Sequence, residues 1–196
     1  MRETKEQVLI VSLRLFACRG YEAVSTGDIA GVLGITKAAL YRHYKNKQDI
    51  FDCIVARMVA LDAKQAAAFC LPVKRADEDA KAYTHVVMEQ IVEYSKAQFA
   101  YWTREDFPCL FRRMLTIEQY RNETMSRLYQ QYLTAGPVDY LTDLFVGLGL
   151  ENPQEKATAF YAPMLLSYAL FDADESDESV AERLTAHFDK WRTKEV

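Results

Sequence analysis

Ser25-Thr26-Gly27-Asp28-Ile29-Ala30-Gly31-Val32-Leu33-Gly34-Ile35-Thr36-Lys37-Ala38-Ala39-Leu40-Tyr41 is the stretch that decides the fold. Ser25 and Asp28 have the spacing of a capping box, in which a hydroxyl and a carboxylate three residues on cover each other's free backbone amides, so a helix is expected to start at Thr26. Gly34 tolerates the left-handed backbone that closes a helix, which keeps this one short. Thr36 then offers a new N-cap for a third helix running through Tyr44. Two short helices around a glycine turn form a helix-turn-helix. Ala30 is small enough for the helices to approach, and Ile35 and Leu40 supply the apolar wedge beneath them. With that wedge buried, Thr36, Lys37, Ala38 and Tyr41 share the outward face of the third helix, where short side chains and one cation suit base edges in a major groove.

The flanks complete the unit. Leu9, Leu13 and Phe16 recur at helical spacing within a first helix from about Thr4 to Arg19, stopped by Gly20, which is the floor the pair needs. Asn46 is placed to cap a fourth helix beginning at Lys47, putting free amides and an ammonium at one helix start, a favourable phosphate site; Ser25 and Thr26 do the same for the second helix. Net charge is -4, but the first fifty residues carry eight basic against five acidic side chains, so the basic end is N-terminal. Asp172, Asp174, Glu175, Asp177, Glu178 and Glu182 form an acidic stretch near the other end, expected to be solvated and away from phosphates.

Gly20-Tyr21-Glu22-Ala23-Val24-Ser25-Thr26-Gly27-Asp28-Ile29-Ala30 and Gly34 through Lys47, above all Gly-Ile-Thr, Leu-Tyr and His-Tyr-Lys-Asn-Lys in that order, resemble the DNA-binding domain of the tetracycline-repressor (TetR) family. The resemblance covers about residues 5 to 55. It implies an all-α chain, with a three-helix DNA-binding domain at 1–46 and a helical effector-binding and dimerisation domain at 47–196. It implies a one-component transcriptional regulator, most often a repressor, that binds a palindromic double-stranded operator as a homodimer and is released by a small, largely hydrophobic effector. By matching position, Thr26 and Gly27 on the second helix and Lys37, Ala38 and Tyr41 on the third are DNA contacts, while His43 and Lys47 meet the backbone. Gly27 departs from the pattern, standing where several members carry a long, often base-reading, side chain. Lys37 is therefore expected to carry much of the direct readout. The alternative is a helical effector-binding or protein-interaction module with weak or no DNA binding.

Beyond Lys47 the sequence is helical but bears no motif of its own. A fourth helix is expected to about Cys70, ended by Leu71-Pro72-Val73-Lys74. The next is expected from roughly Asp77 to Trp102. Aromatic residues crowd 94–111, and Met88, Tyr94, Phe99, Trp102, Phe107, Phe111 and Tyr129 are candidates to wall an effector pocket, ordinary core packing being the alternative. Gly136-Pro137 is expected to break a helical run that starts near Ile117, and Gly147, Gly149 and Pro153 mark the next junction. Tyr161, Met164, Tyr168 and Phe171, then Leu184, Phe188 and Trp191, form stripes on the last two helices. The resemblance makes these a four-helix dimer interface; folding inward in a monomer is the alternative. Pro163 is expected to kink the first of the two.

An enzyme finds little support. His43, His85 and His187 are scattered, and HExxH, GxSxG, GxxxxGK[ST] and a dinucleotide fingerprint are all absent, so no catalytic residue, metal or cofactor is expected. Cys18, Cys53, Cys70 and Cys109 match no CxxC pair or disulfide framework and are expected as reduced core residues. The start of the chain is charged, without a signal-peptide pattern, and no apolar run approaches the ~20 residues that span a bilayer; a cytoplasmic, membrane-free protein is expected.

Overall fold

The computed structural model describes residues 5–72, 79–121, 123–174 and 178–192. Among them are eleven helices and no strand: α1 (Lys5–Arg19), α2 (Thr26–Leu33), α3 (Lys37–Leu40), α4 (Lys47–Ala68), α5 (Ala80–Tyr83), α6 (Met88–Arg104), α7 (Asp106–Glu118), α8 (Glu123–Leu133), α9 (Ala135–Gly147), α10 (Pro153–Ala173) and α11 (Glu178–Asp189). None is long and apolar enough to cross a membrane. Of the residues read above, Thr4, Val73, Lys74, Asp77, Glu175 and Asp177 lie outside the described ones.

The helices gather into two compact units, one of Met1–Asp62 with Glu105–Tyr129, the other of Ala63–Arg104 with Gln130–Val196. The first therefore holds α1 to α3, most of α4, α7 and most of α8. Val8, Leu13 and Phe16 of α1 are fully buried, as are Ile29 of α2, Leu40 of α3, Ile50 and Ile54 of α4, and Phe111, Met114 and Leu115 of α7. Each such side chain stabilises the unit by about 1.5–3 kcal/mol relative to exposure. In the second unit the rings of Phe145, Phe160, Phe188 and Trp191 form one cluster, with Phe160 at 5.7, 4.8 and 5.2 Å from the other three. Lys96 joins α6 to Asp189 of α11 at 2.6 Å, and Arg192 reaches back to Glu89 at 2.8 Å.

Several sequence expectations change. The third helix ends at Leu40, not Tyr44, because the chain tightens: Arg42 and His43 donate to carbonyls three residues back, Ala39 and Leu40, at 3.2 and 2.9 Å. The helix expected over 77–102 is interrupted at 84–87, where the Thr84 hydroxyl donates to the Lys81 carbonyl and the Gln90 side chain accepts from the Val87 amide, both at 2.9 Å. The run expected from Ile117 is already divided between α7 and α8. Gly136-Pro137 then lies in the first turn of α9, where a missing N–H costs nothing. A Cβ at Gly136 would sit 1.9 Å from the Gln131 carbonyl oxygen, so the close approach itself requires glycine. Pro163 lies inside α10, which runs on past it to Ala173. Cys18 and Cys70 are exposed, with Cys53 and Cys109 half-buried, so the cysteines are not core residues.

The largest correction concerns the proposed dimer stripes. Tyr161, Met164, Tyr168, Phe171, Leu184, Phe188 and Trp191 are each at most 9% exposed within a single chain. Tyr168 stacks on Phe99 at 5.9 Å, Phe171 meets the same ring edge-on, and the Tyr161 hydroxyl donates to the Leu133 carbonyl at 2.9 Å. These faces are consumed by the chain's own core. What α10 turns outward instead is Ala159, Ala162, Leu166, Ala169 and Leu170, with Leu166 61% exposed.

Candidate nucleic-acid interface

Local chemistry builds the head of α2. Ser25 sits extended at the N-cap, its Oγ accepting from the Asp28 amide at 3.1 Å while Asp28 Oδ2 accepts from the Ser25 amide at 2.8 Å and its hydroxyl at 2.5 Å. The Ser25 hydroxyl and amide hold the Asp28 carboxyl below the usual carboxylate range, Arg19 at 3.5 Å adding to the effect. Gly34 closes the helix in the left-handed region at φ 69°. Thr36 Oγ1 then accepts from the Ala39 amide at 3.1 Å and starts α3, and Asn46 Oδ1 accepts from the Asp49 amide at 2.8 Å at the start of α4.

Ser25, Thr36, Lys37, Ala38 and Tyr41 are exposed, and Thr26, Gly27, His43 and Lys47 are half-buried. The Thr26 and Tyr41 hydroxyls lie 3.1 Å apart, so the first residue of α2 is tied to the C-cap of α3 on the outer surface. Lys37 folds over Gly27: a Cβ there would lie 2.8 Å from Lys37 Cε and 3.2 Å from Nζ. The gap left by glycine is thus filled by the lysine stem. Arg42 and Lys45, exposed just after α3, extend the cationic surface; sequence reasoning had not selected them, although their charge was visible.

Lys47 is differently occupied from what was expected. Its Nζ donates to the Tyr21 carbonyl at 2.9 Å and lies 4.2 Å above the Tyr21 ring, which directs the ammonium inward. Tyr21 is a meeting point. Its ring contacts Phe16 and Phe51, both at 5.1 Å, and its hydroxyl donates to Gln48 Oε1 at 3.0 Å. Burial, then the Glu22 and Asp52 carboxylates, push that hydroxyl up to about 12. The Tyr21 amide donates to Glu118 Oε1 of α7 at 3.0 Å, a contact spanning 97 positions that no local pattern announces.

The seven candidate effector-pocket residues are divided between the two units. Met88, Tyr94, Phe99 and Trp102 belong to the second unit, and Phe107, Phe111 and Tyr129 to the first, because the chain changes unit at Glu105 inside the aromatic-rich stretch. Trp102 packs on Tyr101 and Tyr132 at 5.6 and 6.2 Å, and Phe107 lies 4.5 Å under the Arg57 guanidinium. A cleft of about 510 Å³ in the first unit is lined by Tyr21, Glu22, Gln48, Phe51, Glu123, Thr124, Met125 and Arg127, and by none of those seven. His187 Nε2 is 3.0 Å from the Phe160 carbonyl oxygen, and no group of His, Cys, Asp and Glu among the described residues has the arrangement to hold a metal.

Residues 8–54 match the family described as bacterial regulatory proteins, tetR family. The transcriptional regulator AcrR of Shigella flexneri is 44% identical over 50 residues, covering 26% of this chain and 23% of that protein. The nucleoid occlusion factor SlmA of Pasteurella multocida is 29% identical over 97 residues, covering 49% of this chain and 47% of that one. The aligned part of the chain thus spans less than half the length of these curated relatives. Among solved structures, apo AibR superposes with a TM-score of 0.62 over 93% of this chain and 97% of its own at 22% identity. SmeT, the repressor of the Stenotrophomonas maltophilia multidrug efflux pump SmeDEF, superposes with 0.64 over 97% and 89% at 15% identity. At those identities the superpositions establish the fold alone, and the family is one of regulators rather than enzymes. Residues 8–54 thus match the tetR family of bacterial regulatory proteins, and the chain shares the helical fold of these solved structures.

Proposed function

We propose that the chain is a one-component transcriptional regulator, a repressor in its simplest form, that binds a palindromic operator as a homodimer. The observation that carries this reading is the outward surface of the helix-turn-helix. Thr36, Lys37, Ala38 and Tyr41 are all exposed on α3 and its cap, and Tyr41 is linked to Thr26 at 3.1 Å. In this reading Lys37 and Ala38 face base edges, Ser25, Thr26, Gly27 and Tyr41 approach phosphates, and Thr36 positions the helix they stand on. His43, Arg42 and Lys45 follow the backbone, and Lys47 supports the surface from beneath. Two such heads read successive major grooves about 34 to 36 Å apart.

Dimerisation is assigned to the outward stripe of α10, centred on Leu166 and Leu170, which are 61% and 43% exposed. Small neighbours at Ala159, Ala162 and Ala169 favour close helix approach across a two-fold axis. A small, largely hydrophobic effector, bound in the helical part of the chain beyond the reading head, would release DNA by binding unequally to two conformers. SmeT, of the same fold, has been solved as a complex with triclosan, a ligand of that chemistry. Selection of bound genomic fragments by the purified chain tests the reading. Enrichment of one inverted repeat is the expected result, and uniform recovery of all fragments would refute it.

A further inference from the structure

We infer that Glu118 is a positioning residue for DNA binding: its buried carboxylate fixes the Gly20–Tyr21 turn to α7, so that α7 and the reading surface move as one body. This rests on the DNA-binding reading above and goes beyond it. Glu118 is fully buried, and a buried carboxylate requires partners. Its Oε1 accepts from the Tyr21 amide at 3.0 Å and faces Arg121 Nε at 3.5 Å, while Oε2 has no hydrogen-bond partner among the described residues. An apolar side chain of similar size would fill the space without leaving an oxygen unsatisfied. What the carboxylate adds is a directed bond to one amide.

The turn is shaped to receive it. Gly20 adopts φ 83°, and a Cβ there would stand 2.3 Å from Glu118 Oε1, so the carboxylate occupies room that only glycine leaves. The other side of the same residue is also held, since the Tyr21 carbonyl accepts from Lys47 of α4 at 2.9 Å and from the Val24 amide at 3.3 Å. Val24, 1% exposed, immediately precedes the Ser25 cap of α2. A shift of α7 therefore reaches the first turn of α2 through one hydrogen bond and four residues of braced chain. The grouping of Glu105–Tyr129 with the N-terminal helices in one compact unit agrees with this.

The test measures spacing discrimination, which a merely less stable protein keeps. For the wild-type chain and for Glu118→Ala and Glu118→Gln, the dissociation constant is measured on the duplex that the wild type selects and on the same duplex with one base pair inserted between half-sites. Glu118→Ala, which frees the turn, is expected to lower the ratio of the two constants by about tenfold or more, the weight of a hydrogen bond to a charged group. Glu118→Gln keeps an acceptor for Tyr21 and is expected to stay within about threefold of wild type. An unchanged ratio in Glu118→Ala overturns the inference while the DNA-binding reading stands; a wild type that selects no duplex removes that reading first. Should Glu118→Ala not fold, hydrogen exchange on the wild-type chain decides. Peptides covering 16–24 and 108–118 are expected to open together, and exchange of the first while the second stays protected overturns the inference.

Discussion

Replacing either of two glycines by alanine separates backbone strain from side-chain collision. Gly20 and Gly34 both lie in the left-handed region, at φ 83° and 69°, and each ends a helix. Around Gly34 nothing comes within 4 Å of an added Cβ, so Gly34→Ala meets only the left-handed penalty, about 1 kcal/mol. At Gly20 the same methyl would stand 2.3 Å from Glu118 Oε1. Ordinary contact needs more than an ångström beyond that, and a displacement of this size breaks the 3.0 Å bond from the Tyr21 amide. Losing a hydrogen bond to a charged acceptor costs about 1.5–3 kcal/mol, which brings Gly20→Ala to about 3 kcal/mol in all. Urea unfolding at constant m-value reads both losses. In a Glu118→Ala background the Gly20→Ala loss is expected to fall towards that of Gly34→Ala, since the two sites are coupled only through the carboxylate. Equal losses for the two single variants, within about 0.5 kcal/mol, would show that Glu118 exerts no force on the turn.

Four further substitutions probe the reading head and the outward stripe of α10. Lys37→Ala is expected to weaken the selected operator by about 1–3 kcal/mol and relax the preference at one base pair, whereas Lys47→Met, whose ammonium is turned onto Tyr21, is expected to lower stability by about 1 kcal/mol and leave the salt dependence of binding nearly unchanged; binding isotherms at several salt concentrations distinguish them. Because the Asp28 carboxyl is lowered in the folded state, its capping contribution is present above the unfolded carboxylate range and is lost as pH falls through the lower folded value. Asp28→Asn is therefore expected to flatten the acid limb of the stability curve, and identical acid limbs in wild type and variant would exclude the contribution. Leu166→Glu is expected to convert the proposed dimer to monomer in sedimentation while leaving the fold intact, since the side chain is 61% exposed within one chain.

The reading head was legible because its determinants are local. The Ser25–Asp28 box, the left-handed Gly34 and the Thr36 cap each act within three residues, and each is present as the spacing implied. Legibility failed where the deciding contact was distant. Nothing near Gly20 says that a carboxylate 98 positions later will close on it, and so the glycine read only as a helix stop. Composition likewise does not reveal that the aromatic stretch over 94–111 is divided between two compact units at Glu105.

The stripes of α10 and α11 show a different limit, and it bears on how the dimer should be sought. Periodicity reports that a face is buried, never by what. Tyr161, Met164, Tyr168 and Phe171 form the bulkier face of α10, and the chain's own core takes the bulkier face because large side chains gain most from complete burial. The remaining apolar positions, Ala159, Ala162, Leu166, Ala169 and Leu170, form a second and smaller stripe that a single-stripe reading of the helix discards. A helix apolar on both sides has two surfaces to cover and one chain to cover them with. The face left over, not the more hydrophobic one, is therefore the one assigned to a second copy in the proposed dimer, and substitutions aimed at Tyr168 or Phe188 would unfold the protomer before they reported on assembly.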